Sequence, residues 1–190
     1  MLKLLPLFFF LFSPLLAETK KQLKIAQSSL SQLGKTTTYN PAYVKLKYPN
    51  GDVPIKSGVC TDVVIRSLRG INIDLQKLVH LDMKKNFSKY PKNWGLKRPD
   101  KNIDHRRVPN LMCYFKRNGW SLPTSKRPRD YQRGDIVVWK LGKGLLHTGV
   151  IAKYAKGKTR PLIVHNIGSG AQVENFLFSA KIIGHYRYKK

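Results

Sequence analysis

The sequence predicts an α+β fold, with helices first and an antiparallel sheet second, and three observations support this class. Apolar residues recur at helical spacing in the first two thirds of the chain. Short apolar runs separated by glycine-containing turns fill the last third. The 190 residues also suffice for one domain with its own hydrophobic core. We therefore expect helices packed against a single sheet.

Residues 1–17 have the pattern of a secretory signal peptide. Lys3 supplies a positive charge, residues 4–16 form an almost unbroken apolar run, and Ala17 is a small residue at its end. The run is shorter than the roughly 20 residues that a membrane span requires, so a cleaved signal is favoured over an uncleaved anchor. We expect an exported protein, periplasmic or secreted, with no transmembrane segment in the mature chain.

Four helices are predicted before the sheet. They cover residues 18–34, the segment from Cys60 to Gly70, residues 75–83 and residues 109–117. In the helix that begins at Cys60, an apolar stripe predicts one buried face, and Arg66 and Arg69 are expected to face the solvent. We assign residues 18–38 to an N-terminal helix and linker, and residues 39–190 to the main domain.

The strands are predicted from Tyr131 onward. They cover residues 136–139, 145–154, 162–167 and 181–188. A hairpin around the turn at residues 156–158 joins the second strand to the third. We therefore expect His147 and His165 to lie nearly opposite one another on one face of the sheet, with the Cys60 helix packed across them.

The chain is strongly basic, with 36 Lys and Arg residues against 10 Asp and Glu residues and a net charge of +26. In an exported protein this charge favours attraction to an acidic envelope polymer or to anionic lipid head groups. The sequence lacks the aromatic-basic motifs that are typical of nucleic-acid binding, so no nucleic acid is expected. We also expect no cofactor and a monomeric protein.

Cys60 is the candidate nucleophile because it stands at the start of a predicted helix. Unpaired N–H groups at a helix N-terminus stabilise a thiolate, which is the reactive form of cysteine. A histidine must hold the proton and deliver it to the leaving group, and His147 follows a glycine-rich loop that leaves it accessible. His165 is the candidate orienting residue, with Asn166 as the alternative if a bulge shifts the register.

The second cysteine, Cys113, lies on the helix predicted over residues 109–117. In an oxidising compartment Cys60 and Cys113 form a disulfide or remain free thiols. The position of Cys60 at a helix start favours a free thiol, and Cys113 is then expected to be a buried core residue.

Other polar residues have both structural and functional interpretations. Asp62 stands in the first turn of its helix, where a carboxylate interacts favourably with the helix dipole. Asp104, His105 and Arg106 form a polar cluster that either binds a substrate carboxylate through the arginine or braces a loop. No third ligand at metal spacing accompanies the His80-Leu81-Asp82 segment, so no metal site is expected.

Several long motifs resemble the DUF1287 family, and a looser set resembles the NlpC/P60 cysteine peptidases. The motifs similar to DUF1287 are Gly58–Arg66, Asn102–Asn110, Pro161–Gly168 and Gly184–Tyr188. The motifs similar to NlpC/P60 are the Gly-Asp strand at 134–139, the His-x-Gly strand at 147–151 and the polar residue on the following strand. Thr61 and Asp62 follow the cysteine where NlpC/P60 enzymes usually have Ser-Gly.

The resemblance implies a papain-like, NlpC/P60-type fold whose catalytic domain covers residues 39–190. It implies that Cys60 is the nucleophile, His147 the base and His165 the orienting residue. Tyr48 corresponds to a tyrosine that precedes the cysteine in the wider family. NlpC/P60 relatives cut amide bonds in peptidoglycan stem peptides, whereas DUF1287 has no assigned function.

The sequence therefore predicts an exported cysteine hydrolase that cleaves amide bonds in peptidoglycan peptides, with acyl transfer through the same thioester as a variant. The alternative is a non-catalytic basic module that retains the fold and binds an anionic envelope polymer. Binding to an anionic polymer that weakens with salt and does not depend on Cys60 indicates the binding module. A Cys60 thiol that ionises well below the unperturbed pKa of roughly 8.5 indicates catalysis.

Overall fold

Helices and an antiparallel sheet follow one another along the chain in the predicted order. The structure is a computed structural model that describes residues 18–189 except 156 and 158. It confirms the α+β class, with four α-helices and a six-stranded antiparallel sheet within those residues. The predicted signal peptide, residues 1–17, lies outside the described residues. Across the described chain, no helix combines the length and apolar character that a membrane crossing requires.

The predicted helices and long strands are present, and four short strands are additional. The helices are α1 (Lys20–Leu30), α2 (Cys60–Arg69), α3 (Leu75–Asn86) and α4 (Val108–Arg117). Two residues each of β1 (Thr38–Tyr39) and β2 (Ser57–Gly58) form a parallel pair. The main strands are β3 (Ser121–Leu122), β4 (Ile136–Lys140), β5 (Leu146–Tyr154), β6 (Pro161–Asn166), β7 (Ala171–Glu174) and β8 (Lys181–Tyr186). Their order in the sheet is β3-β8-β4-β5-β6-β7.

The central strands of the main sheet are apolar on both faces. On one face, Val150 of β5 and Val164 of β6 pack in the same core as Val63 of α2. On the other face, Trp139 and Ile151 belong to a second, smaller apolar core. Because successive residues of a strand point to opposite faces, the register decides which residues of β5 and β6 face α2.

Helix α1 packs into the larger core with its apolar stripe. Ile25 is fully buried there, and the helix begins with a capping box in which Thr19 and Gln22 each bond the other's backbone N–H. Gly134, just before β4, has a φ of +83°, and a Cβ at this position would collide with the backbone of Gln22. A glycine is therefore required where the Gly-Asp motif passes under α1.

Helix α2 is buried on nearly all sides, and the expectation that Arg66 faces the solvent is wrong. The Arg66 side chain is 7% exposed and forms an ion pair with Asp52 at 3.0 Å. It also donates to Thr36 Oγ1 and to the carbonyl oxygen of Ser57. The chain before β2 folds over this side of the helix and supplies a partner for each donor of the buried guanidinium. Arg66 therefore fixes the segment that leads into Cys60.

Candidate active site

Cys60 is the first residue of α2, and its side chain is buried at 6% exposure. The residue before it, Val59, has an extended backbone, and its N–H donates to Asp62 Oδ2 at 2.7 Å. This bond caps the helix in the way that a glutamate or glutamine does in a capping box. The backbone of Thr148 in β5 lies beside the thiol and favours its ionised form.

Burial raises the pKa of the Cys60 thiol to about 11. The charge of Asp62 raises the pKa further, while the backbone N–H groups of Thr148, Thr61 and Cys60 lower it. Desolvation therefore exceeds the stabilisation that the helix N-terminus offers to a thiolate. The neutral form of the Cys60 thiol is favoured at neutral pH.

His147 and His165 lie on the same face of the sheet and are joined directly. The distance from His147 Nε2 to His165 Nδ1 is 2.7 Å, and neither side chain is more than 3% exposed. Gly149 follows His147 by two residues, and a Cβ there would lie 2.6 Å from Ile163 Cγ2 and 3.0 Å from His165 Cβ. The glycine of the His-x-Gly motif is therefore required where β5 packs closely against the part of β6 that carries His165.

Apolar and aromatic groups surround the His147 ring. It stacks on Trp139 with ring centroids 5.8 Å apart, and Phe176 lies edge-on to it at 5.8 Å. The Phe176 ring is tilted against the His165 ring at 4.8 Å. Burial lowers the pKa of His147 to about 3, and the neighbouring His165 contributes in the same direction. The imidazole is therefore neutral at neutral pH, which is the form that accepts a proton.

A carboxylate that the sequence analysis missed extends this pair. Glu174 Oε2 lies 2.7 Å from His165 Nε2, and the Glu174 side chain is 47% exposed. Burial lowers the pKa of His165, while the hydrogen bond and charge of Glu174 raise it. The signal was the alternation of Gln172 and Glu174 after the Gly168-Ser169-Gly170 turn, which places Glu174 across a hairpin from the His165 strand.

Cys60 and the histidine pair approach one another from the two faces of the sheet. Cys60 packs in the core beneath α2, whereas the His147 ring contacts Trp139 on the other face, so α2 does not lie across the histidines as expected. The backbone of Thr148, the residue after His147 near the start of β5, lies beside the thiol. Within the described residues no hydrogen bond joins the thiol to His147, and His147 Nδ1 makes none.

Asn166 does not orient His147. Its amide donates to the carbonyl oxygens of Thr38 at 3.2 Å and Gly58 at 3.0 Å, and its Oδ1 accepts from the N–H of Gly168. Asn166 points to the face that carries α2 and ties β1 and β2 to the end of β6. Of the two candidates for the third position, His165 is the one that contacts His147.

The predicted polar cluster braces the start of α2. Arg106 donates to both carboxylate oxygens of Asp62 at 2.9 Å, with side-chain exposures of 2% and 3%. Thr61 Oγ1 donates to the carbonyl oxygen of Arg106 at 2.9 Å. Arg106 and Asp62 are both buried and bonded to each other, so Arg106 is not available to bind a substrate carboxylate.

The other members of this cluster are also buried. Asp104 accepts from the N–H of Asp100 and lies 3.4 Å from Arg107, and burial raises its pKa to about 6. Burial lowers the pKa of His105 to about 3, and its Nδ1 has no hydrogen-bond partner in the described structure. Both side chains are enclosed between helices and support the loop from within.

Tyr48 is not close to Cys60 in any described contact. Its ring lies edge-on against His80 at 5.4 Å and beneath Lys101. Tyr39, paired with Gly58 across β1 and β2, is the tyrosine beside the thiol. Burial raises the pKa of Tyr39, and the charge of Cys60 raises it further. The sequence analysis named only Tyr48, and the β1-β2 pairing brings Tyr39 to this position instead.

The two cysteines are both free thiols. Cys113 is partly buried on α4, where its sulfur donates to the carbonyl oxygen of Lys89 at 3.4 Å. Asp82, considered as a metal ligand, instead forms an ion pair with Arg117 and accepts from Tyr90.

The fold and the site define an α+β protein with a cysteine at a helix N-terminus beside a pair of strand histidines. The family model described as "Domain of unknown function (DUF1287)" matches residues 26–188, and the chain belongs to this family. It is 56% identical over 171 residues to "Uncharacterized protein YijF" from Escherichia coli (strain K12). That match covers 90% of this chain and 83% of the relative.

Two solved structures are similar to the chain at low sequence identity. NlpC1 from Trichomonas vaginalis matches with a TM-score of 0.47 and 12% identity, over 92% of this chain and 47% of that protein. NlpC2 from the same organism matches with a TM-score of 0.44 and 10% identity, over 92% of this chain and 50% of that protein. The chain spans about half the length of these two proteins.

The raised pKa of Cys60 predicts slow alkylation at neutral pH. In a Cys113→Ser variant Cys60 is the remaining thiol, and only its thiolate reacts with iodoacetamide. Because the pKa is raised to about 11, the rate is expected to rise about tenfold per pH unit between about pH 7 and about pH 10. The rate is measured by quenching the alkylation at timed intervals and determining the mass of the intact protein by mass spectrometry.

The same variant unfolded in urea is the matched control. Its alkylation rate is expected to level off above the unperturbed cysteine pKa of roughly 8.5. If the alkylation rate of the folded protein reached its maximum below about pH 8, burial would not control the pKa of the thiol. The neutral state given to Cys60 would then be wrong.

The ion pair between Arg106 and Asp62 predicts a large loss of stability when one partner is removed. Arg106→Gln leaves a buried carboxylate without its counter-charge, and we expect the free energy of unfolding to fall by about 3–5 kcal/mol in urea titrations. Arg127→Gln removes an arginine whose side chain is 66% exposed, and a change below about 1 kcal/mol is expected. Equal effects of the two substitutions would contradict the bracing function of Arg106.

Proposed function

We propose that the protein is an exported cysteine hydrolase that cleaves amide bonds in peptidoglycan peptides. The observation that carries the proposal is the direct bond between His147 and His165 at the sheet end where Cys60 begins α2. A thiol and a histidine whose far nitrogen is fixed by a third polar group are the components of nucleophilic catalysis, and His165 supplies that third group here.

The first half of the reaction forms a thioester. His147 Nδ1 takes the thiol proton as Cys60 Sγ attacks the carbonyl carbon of the scissile amide. The tetrahedral intermediate collapses when its C–N bond breaks, and the imidazolium returns the proton to the leaving amine. Backbone N–H groups at the start of α2 stabilise negative charge that develops beside the sulfur.

The second half releases the acyl group. His147 takes a proton from water as the water oxygen attacks the thioester carbon, and the C–S bond breaks to give a carboxylic acid and the thiol. If an amine attacks in place of water, the same thioester yields a new amide, which is acyl transfer. Because thiol and imidazole are both neutral at rest, proton transfer accompanies attack instead of preceding it.

Three features support peptidoglycan as the substrate class. The pattern of residues 1–17 indicates export, and a net charge of +26 favours approach to an acidic envelope polymer. The Gly-Asp, His-x-Gly and His165 motifs resemble those of enzymes that cut peptidoglycan stem peptides. Residues 39–190 are then the catalytic domain, and the protein acts in the periplasm or outside the cell.

One observation favours a second function, a basic module that binds an anionic envelope polymer without catalysis. The thiol is held neutral and makes no hydrogen bond to His147 in the described structure. A binding module predicts affinity that falls steeply with salt and is unchanged in Cys60→Ala. A hydrolase predicts product that disappears in Cys60→Ala at any salt concentration.

Analysis of muropeptides tests the hydrolase. Purified peptidoglycan incubated with the wild-type protein is expected to yield fragments with new amine and carboxyl ends, resolved by liquid chromatography and mass spectrometry. Cys60→Ala and His147→Ala are each expected to lower the yield at least about a thousandfold, because nucleophile and base act as one unit.

Cys113→Ala is the matched control, since it removes the other cysteine from α4 and is expected to leave the yield unchanged. Fragments formed equally by wild-type protein and Cys60→Ala would refute the hydrolase.

A further inference from the structure

We propose that Glu174 is a positioning residue that sets the proton positions on both histidine rings, an inference that rests on the proposed function. The geometry points to a chain of three groups that runs from Glu174 through His165 to His147, and only the proposed reaction brings the thiol of Cys60 to its His147 end. Both links are 2.7 Å long. Glu174 acts through the histidines and not on the substrate.

The position of Glu174 follows from the pairing of β6 with β7. Glu174 is opposite Ile163, so it shares a face with Ile163 and with His165, two residues along the strand. The His165 side chain is fully buried, and its Nε2 proton requires an acceptor. The carboxylate of Glu174 is the hydrogen-bond partner that the described structure gives to His165 Nε2.

An ionised carboxylate accepts hydrogen bonds and donates none, and this fixes the tautomers in order. His165 must carry its proton on Nε2, so its Nδ1 is an acceptor. His147 must then donate from Nε2 to that nitrogen, which leaves His147 Nδ1 without a proton. This is the nitrogen that takes the thiol proton in the proposed reaction. In the opposite tautomer, His147 Nδ1 already carries a proton and the base is blocked.

The charge of Glu174 has a second, weaker effect. When His147 accepts the thiol proton, the positive charge is shared towards His165 and faces an anion at the end of the chain. Because Glu174 is 47% exposed, water screens this attraction and the effect on turnover is modest. Tautomer control, which depends on the hydrogen bond alone, is therefore expected to dominate.

Several features argue against a purely structural function for Glu174. The acidic residues are few, with 10 Asp and Glu against 36 Lys and Arg, and other carboxylates of the fold such as Asp52, Asp62 and Asp82 pair with arginine. Glu174 instead pairs with a buried histidine, His165. Because the Glu174 side chain is 47% exposed, its bond to His165 is expected to add little to the free energy of unfolding.

Nitrogen-15 NMR of the histidine rings tests the proposal without any substrate. In the wild-type protein both His147 and His165 are expected as Nε2–H tautomers. Glu174→Ala removes the acceptor, and we expect Nδ1–H signals to appear for at least one of the two rings. Glu174→Gln retains an acceptor oxygen without the charge, and we expect the wild-type tautomers. Gln172→Ala changes a neighbour on the same strand and face, and we expect no change.

Kinetics with peptidoglycan peptides give the second measurement. Glu174→Ala is expected to lower kcat about ten- to hundredfold with KM within about twofold, Glu174→Gln to lower kcat by less, and Gln172→Ala to leave both unchanged. Wild-type tautomers in Glu174→Ala would overturn the proposal, as would equal kcat in Glu174→Ala and Gln172→Ala. If the wild-type protein itself lacked hydrolase activity, the proposed function would fail, while the NMR spectra would still decide whether Glu174 sets the tautomers.

Discussion

The burial of the start of α2 is the constraint on which the rest of the site depends. Cys60, Thr61 and Asp62 are all below 7% exposure, so each polar atom there needs a partner within the protein. Arg106 forms an ion pair with Asp62, and the Asn166 amide donates a hydrogen bond to the carbonyl oxygen of Gly58, two residues before Cys60. These bonds cross between segments that are far apart in sequence, and together they fix the thiol near the start of β5.

The same burial sets the proton positions of the site. Water would stabilise a thiolate and an imidazolium, and its exclusion leaves Cys60 and His147 both neutral. Because the Cys60 thiol and the His147 ring are both neutral, the proposed reaction requires that the His147 nitrogen that accepts the thiol proton carries no proton at rest. In the proposal above, Glu174 sets the position of this proton through His165. Glu174 lies where the buried chain of hydrogen bonds meets the solvent. Orientation therefore matters more to this site than a lowered thiol pKa.

Much of this arrangement could be predicted from the sequence. Helical spacing and strand alternation are local signals, and they gave the main elements and the pairing of His147 with His165. The ionisation state of Cys60 could not be predicted, because a helix start reveals the dipole but not the exclusion of water. The burial of Arg66 depends on where Asp52 folds, which is a tertiary contact. Glu174 was missed because β7 has only four residues, so the alternation of Gln172 and Glu174 with apolar residues is too short to be recognised as a strand.

The most direct measurement is the detection of a thioester on Cys60. Wild-type protein mixed with peptidoglycan peptides is quenched in acid, and the peptide that contains Cys60 is analysed by mass spectrometry before and after neutral hydroxylamine. A hydrolase of this design predicts an acyl adduct on Cys60 that hydroxylamine removes, and no adduct in Cys60→Ala. Amide cleavage with no hydroxylamine-sensitive adduct on Cys60, at a rate equal to that of Cys60→Ala, would contradict it.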